Sequence, residues 1–215
     1  FERLISNLCD AKVDSICAMG STGLYPYLSR NELSQLTYAA VQCAGNVPVM
    51  VGIGALRTLD VLKNAEAAQH AGASAVLLAP VSYHPLSERE VYSLYDTVSK
   101  ELSVSLCVYE NPGVTNFTFS DSLYKEIGQM PNVAAVKIPG MPFATAEGTD
   151  RLAFLRELLP ESVAIGVSGD KFGVAGMAAG CDLWLSVLGG MFPRTVKRLI
   201  SQSYSPTTLN DASTF

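Results

Sequence analysis

The chain has 215 residues, 48% of them hydrophobic, with 17 Gly, 11 Pro and a formal net charge of −5. That is enough for one sizeable core, and a pI near 5.0 argues against a nucleic-acid surface, which needs clustered Lys and Arg. Apolar runs such as Ser74 to Val81 are too short to cross a bilayer, and the opening residues do not resemble a signal peptide, so no membrane partner is expected.

The elements follow one another in strict alternation. Phe1 to Asp10 carries Leu4, Ile5 and Leu8 on one helical face, and Ser15 to Met19 reads as a short buried strand ending at Gly20-Ser21-Thr22-Gly23. Ser29 or Asn31 caps a helix through Val41 that stops before Gly45-Asn46, and Val47 to Val51 is the next strand. Asp60 to His70 is a helix closed by Gly72, and Ala75 to Ala79 a strand broken by Pro80. Ser87 to Lys100 is helical, with Val91, Leu94, Tyr95 and Val98 facing inward, and Val104 to Tyr109 is a strand closed by Glu110-Asn111-Pro112-Gly113. Ser120 to Gly128 is a helix, Val133 to Lys137 a strand, and Gly148 to Leu159 a helix. Val163 to Val167 is a strand ending in Ser168-Gly169-Asp170, with Asp170 expected as a helix cap. Lys171 to Ala179 is a short helix, Trp184 to Val187 a strand and Phe192 to Ile200 the last helix.

Each strand is continuously apolar rather than alternating, as parallel strands buried on both faces are. Seven strands and eight helices in alternation predict an α/β fold of the (β/α)₈ TIM barrel type with its first strand absent from this chain, expected upstream of Phe1. The barrel is assigned residues 1–203, and residues 204–215, rich in Ser and Thr, an irregular C-terminal tail. A doubly wound sheet is the structural alternative, but no Gly-x-Gly-x-x-Gly follows a strand as a dinucleotide site requires.

Five scattered cysteines, Cys9, Cys17, Cys43, Cys107 and Cys181, show no paired spacing, so a reducing cytoplasm is the expected location. Neither His70 nor His84 has a second plausible ligand nearby, so no metal site and no cofactor are expected. Lys137 is different: it ends a buried strand without an opposite charge near it in sequence. Desolvation disfavours an ammonium, so the lysine is expected to be buried with a lowered pKa and able to form a Schiff base with a carbonyl. Snorkelling to solvent past the strand end is the bland alternative.

In a barrel of this type the chemistry sits at the carboxyl ends of the strands. Lys137, Tyr109, Ser21, Thr22, Ser82, Ser168 and Leu185 all fall there, the first two as candidate catalytic residues and the other five as candidate substrate-binding residues. A phenol near an amine can pass a proton to and from a carbinolamine, and Gly20 and Gly23 let the backbone around Ser21-Thr22 approach a carboxylate.

Gly20-Ser21-Thr22-Gly23, Tyr109-Glu110-Asn111-Pro112, Val136-Lys137 and Ser168-Gly169-Asp170 occur in an order and spacing that resembles the dihydrodipicolinate synthase/N-acetylneuraminate lyase family of class I aldolases. The resemblance spans nearly the whole chain. It implies that Lys137 is the Schiff-base lysine for pyruvate or a related 2-keto acid and Tyr109 the proton shuttle. It further implies that Ser21 and Thr22 hold the keto-acid carboxylate, that Leu185 lines the pyruvate pocket, and that the protein is a homo-oligomer, tetramer or dimer. An aldehyde of unknown identity is the implied second substrate. Val114 stands where dihydrodipicolinate synthases usually carry an Arg, Ser82 where they carry a relay tyrosine, and Leu24 where a glutamate is usual. The expectation is therefore an aldolase or dehydratase of this family rather than a dihydrodipicolinate synthase itself. The rival readings are a phosphosugar-binding TIM-barrel enzyme without a Schiff base, suggested by Gly169 and Gly189-Gly190 after the last strands, and a truncated, non-catalytic binding module.

Overall fold

The structure, a computed structural model, describes residues 1–203; the expected C-terminal tail lies outside them. Helix α1 (Glu2–Asp10) leads into β1 (Ile16–Ala18), α2 (Arg30–Ala44), β2 (Val49–Gly52), α3 (Thr58–Ala71), β3 (Ala75–Leu78), α4 (Glu88–Lys100) and β4 (Ser105–Tyr109). The chain continues through α5 (Pro112–Thr115), α6 (Asp121–Gly128), β5 (Val133–Ile138), α7 (Ala146–Leu158) and β6 (Ala164–Ser168). It ends with α8 (Asp170–Ala179), β7 (Leu183–Leu185), α9 (Leu188–Met191) and α10 (Pro193–Ser203). The expected strands and long helices are present within a few residues of their expected limits. The one-turn helices α5 and α9, and 3₁₀ turns at Ser21–Gly23 and Tyr25–Tyr27, fall where the sequence reads as loop; one turn is too short to show a helical period.

All seven strands are parallel and pair in chain order, leaving β1 and β7 as the two edges of a nearly closed barrel. Because successive strand residues point to opposite faces, each strand feeds two cores. Outward, Val51, Val76, Leu78, Leu106, Val108, Val136, Ile138, Ile165 and Val167 join the main core with Val61, Val91, Leu123 and Leu155 of the surrounding helices. Inward, Leu77, Ala79, Cys107 and Tyr109 form a separate cluster with Met50 and Ala135. Cys107 is buried, whereas Cys17 is exposed on β1, an edge strand among the described residues.

One irregularity sets the geometry of the site. Leu106 pairs with Val133, but Cys107 pairs with Ala135, so Ala134 has no partner on β4. A one-residue step exchanges the faces of everything beyond it. Here it puts Tyr109 opposite Lys137 rather than opposite Val136.

Two of the long helices start on reciprocal capping boxes. The Ser29 and Ser87 hydroxyls accept the backbone N–H groups of Glu32 and Glu90, whose carboxylates in turn accept the N–H groups of Ser29 and Ser87 at 2.8 Å. Of the two candidates for the start of α2, Ser29 therefore makes the cap. Hydrogen bonds from these serines hold the carboxyls of Glu32 and Glu90 below the usual carboxylate range. Loss of one such cap costs about 1 kcal/mol. Ser87→Ala is therefore expected to lower the urea midpoint with an unchanged denaturant slope, measured by circular dichroism; a stability equal to the parent's would show that the cap contributes nothing here.

Candidate functional site

Lys137 and Tyr109 stand side by side on the inner face of β5 and β4. The Lys137 Nζ lies 3.8 Å from the centroid of the Tyr109 ring. The strand end is pinned by the Glu110 N–H donating to the Lys137 carbonyl at 3.0 Å. The phenol is buried, and its oxygen accepts a hydrogen bond from Asn111 Nδ2 at 2.9 Å. An accepting phenol keeps its own proton free to donate elsewhere. All the ion pairs among the described residues lie away from Lys137.

Lys137 is half-buried, not buried as the strand pattern suggests. The cause is its neighbour: across the β5–β6 pair it faces Gly166, which has no side chain to cover it. A Cβ at Gly166 would come within 2.8 Å of Leu185 Cδ1, so that glycine also makes room for Leu185 beside the lysine.

A cavity of about 330 Å³ opens over the pair, within the range of small-ligand sites. Lys137, Tyr109, Ser168 and Leu185 share its wall with Asn111 and Phe172. The Ser168 hydroxyl donates to the Ile138 carbonyl at 2.8 Å and so ties β6 to the end of β5. Ser21, Thr22 and Ser82 are not on this wall. Ser21 and Thr22 form the 3₁₀ turn after β1, and the Ser82 hydroxyl closes a turn on His84, donating to its carbonyl at 2.6 Å and accepting its N–H at 3.2 Å. A larger groove of about 480 Å³ lies between α2 and α3 on the outer surface, away from the strand ends.

The acids near the cavity are tied down. Glu110 is buried, and its two carboxylate oxygens accept the Phe119 N–H at 3.0 Å and the Tyr124 hydroxyl at 2.6 Å. Burial, and then the adjacent Glu110, raise the Tyr124 phenol well above its usual value. Asp170 does not cap its own helix. Its carboxylate accepts the Ser186 hydroxyl at 2.7 Å and the Val187 and Leu188 N–H groups at 3.2 and 2.9 Å, fixing the turn from β7 into α9. Below Lys137, burial pushes the Cys107 thiol up to about 12, with Cys17 adding to the rise and Lys137 opposing it.

Asn111, Glu110 and Phe172 are the residues that sequence reasoning did not single out. The first two lie inside the quoted Tyr109 motif, but their partners arrive from β4 itself and from α6. Phe172 had one signal: an aromatic residue two positions after the strand-end Ser168-Gly169-Asp170 motif. A Cβ on Gly140 would sit 2.0 Å from Phe172 Cδ2, so the absent side chain there creates the space the ring fills.

Residues 1–207 match the Dihydrodipicolinate synthetase family. The chain is 31% identical over 195 residues to a 4-hydroxy-tetrahydrodipicolinate synthase of Chlorobium limicola, covering 88% of this chain and 63% of that one. A synthase of the same name from Azoarcus sp. is also 31% identical, over 86% of this chain and 62% of its own. The chain thus spans less than two-thirds of the length of these two curated relatives. Among solved structures, a dihydrodipicolinate synthase from Agrobacterium tumefaciens aligns with a TM-score of 0.89 at 41% identity, covering 94% of this chain and 68% of that one. The enzyme of the same name from Aquifex aeolicus aligns with a TM-score of 0.83 at 27% identity, with the same coverage of both chains. With a parallel barrel and a lysine–tyrosine pair at adjacent strand ends, the match over nearly its full length places this chain in the dihydrodipicolinate synthetase family.

Proposed function

We propose that the protein is a class I aldolase or related lyase that forms a Schiff base between Lys137 and pyruvate or a similar 2-keto acid. The observation that carries this reading is the 3.8 Å approach of Lys137 Nζ to the Tyr109 ring inside an open cavity at the strand ends. The lysine amine attacks C2 of the keto acid, and the carbinolamine oxygen takes the Tyr109 proton and leaves as water. The resulting phenolate accepts a C3 proton, converting the iminium to an enamine, the carbon nucleophile of aldol addition. Asn111 holds the phenol oxygen at its post through both transfers.

Leu185 and Ser168 flank the bound keto acid, the first by packing and the second by holding β6 against β5. Ser21 and Thr22 are assigned the keto-acid carboxylate, since their turn stands at the same rim of the barrel and their side chains are not enclosed. Ser82 is given the turn it closes rather than a substrate contact. A cytoplasmic homo-oligomer, dimer or tetramer, belongs to the same reading. Tyr27, Leu56 and Tyr83 stand strongly exposed in the loops after the neighbouring strands β1, β2 and β3, which suits a subunit contact.

Two measurements test the reading. Borohydride reduction in the presence of pyruvate, followed by peptide mass mapping, is expected to leave the adduct on Lys137; labelling confined to another lysine, or none with any 2-keto acid, removes the mechanism. Tyr109→Phe is expected to slow turnover by roughly 10²- to 10⁴-fold, the usual worth of a positioned acid–base group. Pyruvate adduct formation should fall much less, and an equal loss of both would contradict the shuttle role.

A further inference from the structure

We propose that the carbonyl partner of the enamine is an uncharged aldehyde with an apolar or aromatic substituent, seated against Phe172, Leu185 and Val187; this rests on the Schiff-base reading above.

The charge of the wall argues first. Among the described residues Lys137 is the only cationic side chain lining the cavity, and its nitrogen is consumed in the Schiff base. Glu110 is the only acid on the wall among the described residues, and both its oxygens already have donors. A carboxylate or phosphate on the aldehyde would have to shed water beside the keto acid's own carboxylate, with no guanidinium or ammonium on the wall to replace that water. A further cation, Lys171, is exposed on the first turn of α8, with its Nζ 5.5 Å from the Phe172 centroid and outside the wall.

The shape argues second. Val187 is 48% exposed while lining the cavity, so an apolar surface is left uncovered beside the reacting pair. Asp170 fixes it there by accepting the Val187 and Leu188 N–H groups. Opposite, Gly140 has no side chain and Gly169 adopts φ +86°, a left-handed conformation in which glycine is unstrained. Between them the Phe172 ring is brought to the wall. These are built features, since each needs a particular residue to hold it.

The step balances without a further reagent. The enamine carbon bonds to the aldehyde carbon, the carbonyl π pair moves to its oxygen, and that oxygen takes the Tyr109 proton. Water then hydrolyses the iminium, freeing the lysine and a 4-hydroxy-2-keto acid whose substituent came from the aldehyde.

The test gives the purified chain pyruvate with benzaldehyde, with succinic semialdehyde, or with glyceraldehyde 3-phosphate, following pyruvate consumption, and with borohydride labelling of Lys137 run in parallel. Benzaldehyde is expected to exceed both anionic aldehydes in kcat/KM by at least about tenfold. Phe172→Ala and the surface variant Val187→Asp should each lower the benzaldehyde value by about tenfold or more, with retained labelling showing that the site is still assembled. Lys171→Ala should leave it unchanged. Labelling with equal or greater turnover of an anionic aldehyde, or with no turnover of benzaldehyde, overturns the inference; a loss of anionic turnover in Lys171→Ala would then assign that cation the role. Failure of labelling itself overturns the Schiff-base reading, and the inference with it.

Discussion

The site depends on a one-residue step in the pairing of β4 with β5. Without the unpaired Ala134, the strand that carries Lys137 would meet Tyr109 with Val136, and the amine and the phenol would project to opposite faces of the sheet. With it, both point into the lumen and the amine comes within 3.8 Å of the Tyr109 ring centroid. Parallel sheets seldom contain such steps, and bulges elsewhere tend to accompany active sites, where they re-aim a side chain. The hydrogen bond from Glu110 N–H to the Lys137 carbonyl continues the stepped ladder past the strand end, so the offset is locked rather than frayed.

Given that alignment, the lumen's emptiness matters as much as its contents. Gly166 opposite Lys137 leaves the amine half-covered, accessible to a substrate where a larger residue would have sealed it. Beneath it, Leu77, Cys107 and Ala135 close the barrel with neutral side chains, and the raised Cys107 thiol keeps that floor uncharged at ordinary pH. The amine therefore sits at a boundary between a filled apolar floor and an open rim. That environment differs from the wholly buried one the sequence suggests, and it leaves the amine open to the cavity.

The order of strands and helices was legible because the strands are largely apolar runs and several helices begin at a serine cap, as at Ser29, Ser87 and Ser120. Lys137 and Tyr109 were legible for a related reason: the barrel fixes which end of a strand carries chemistry, so a polar residue at that end stands out. What escaped was everything set by contacts far apart in sequence. Nothing local in Asn-Val-Ala-Ala-Val-Lys announces a register step, and nothing beside Asp170 shows that its partners lie near residue 187. The degree of burial of Lys137 was misjudged on the same ground, because the residue that uncovers it lies on the next strand.

The acids show how structure and chemistry are divided in this chain. A carboxylate free in the lumen would be drawn to the amine as its opposite charge. Glu110 follows the phenol directly in sequence, yet its side chain is turned outward to join β4 to α6 through Phe119 and Tyr124. Asp170, directly after the Ser168-Gly169 turn, is likewise engaged by the turn into α9. Both stiffen the rim around the cavity while keeping their charge from the amine. The same hydrogen bonds that order the loops thus leave the lysine, among the described residues, beside the Tyr109 ring and outside every ion pair.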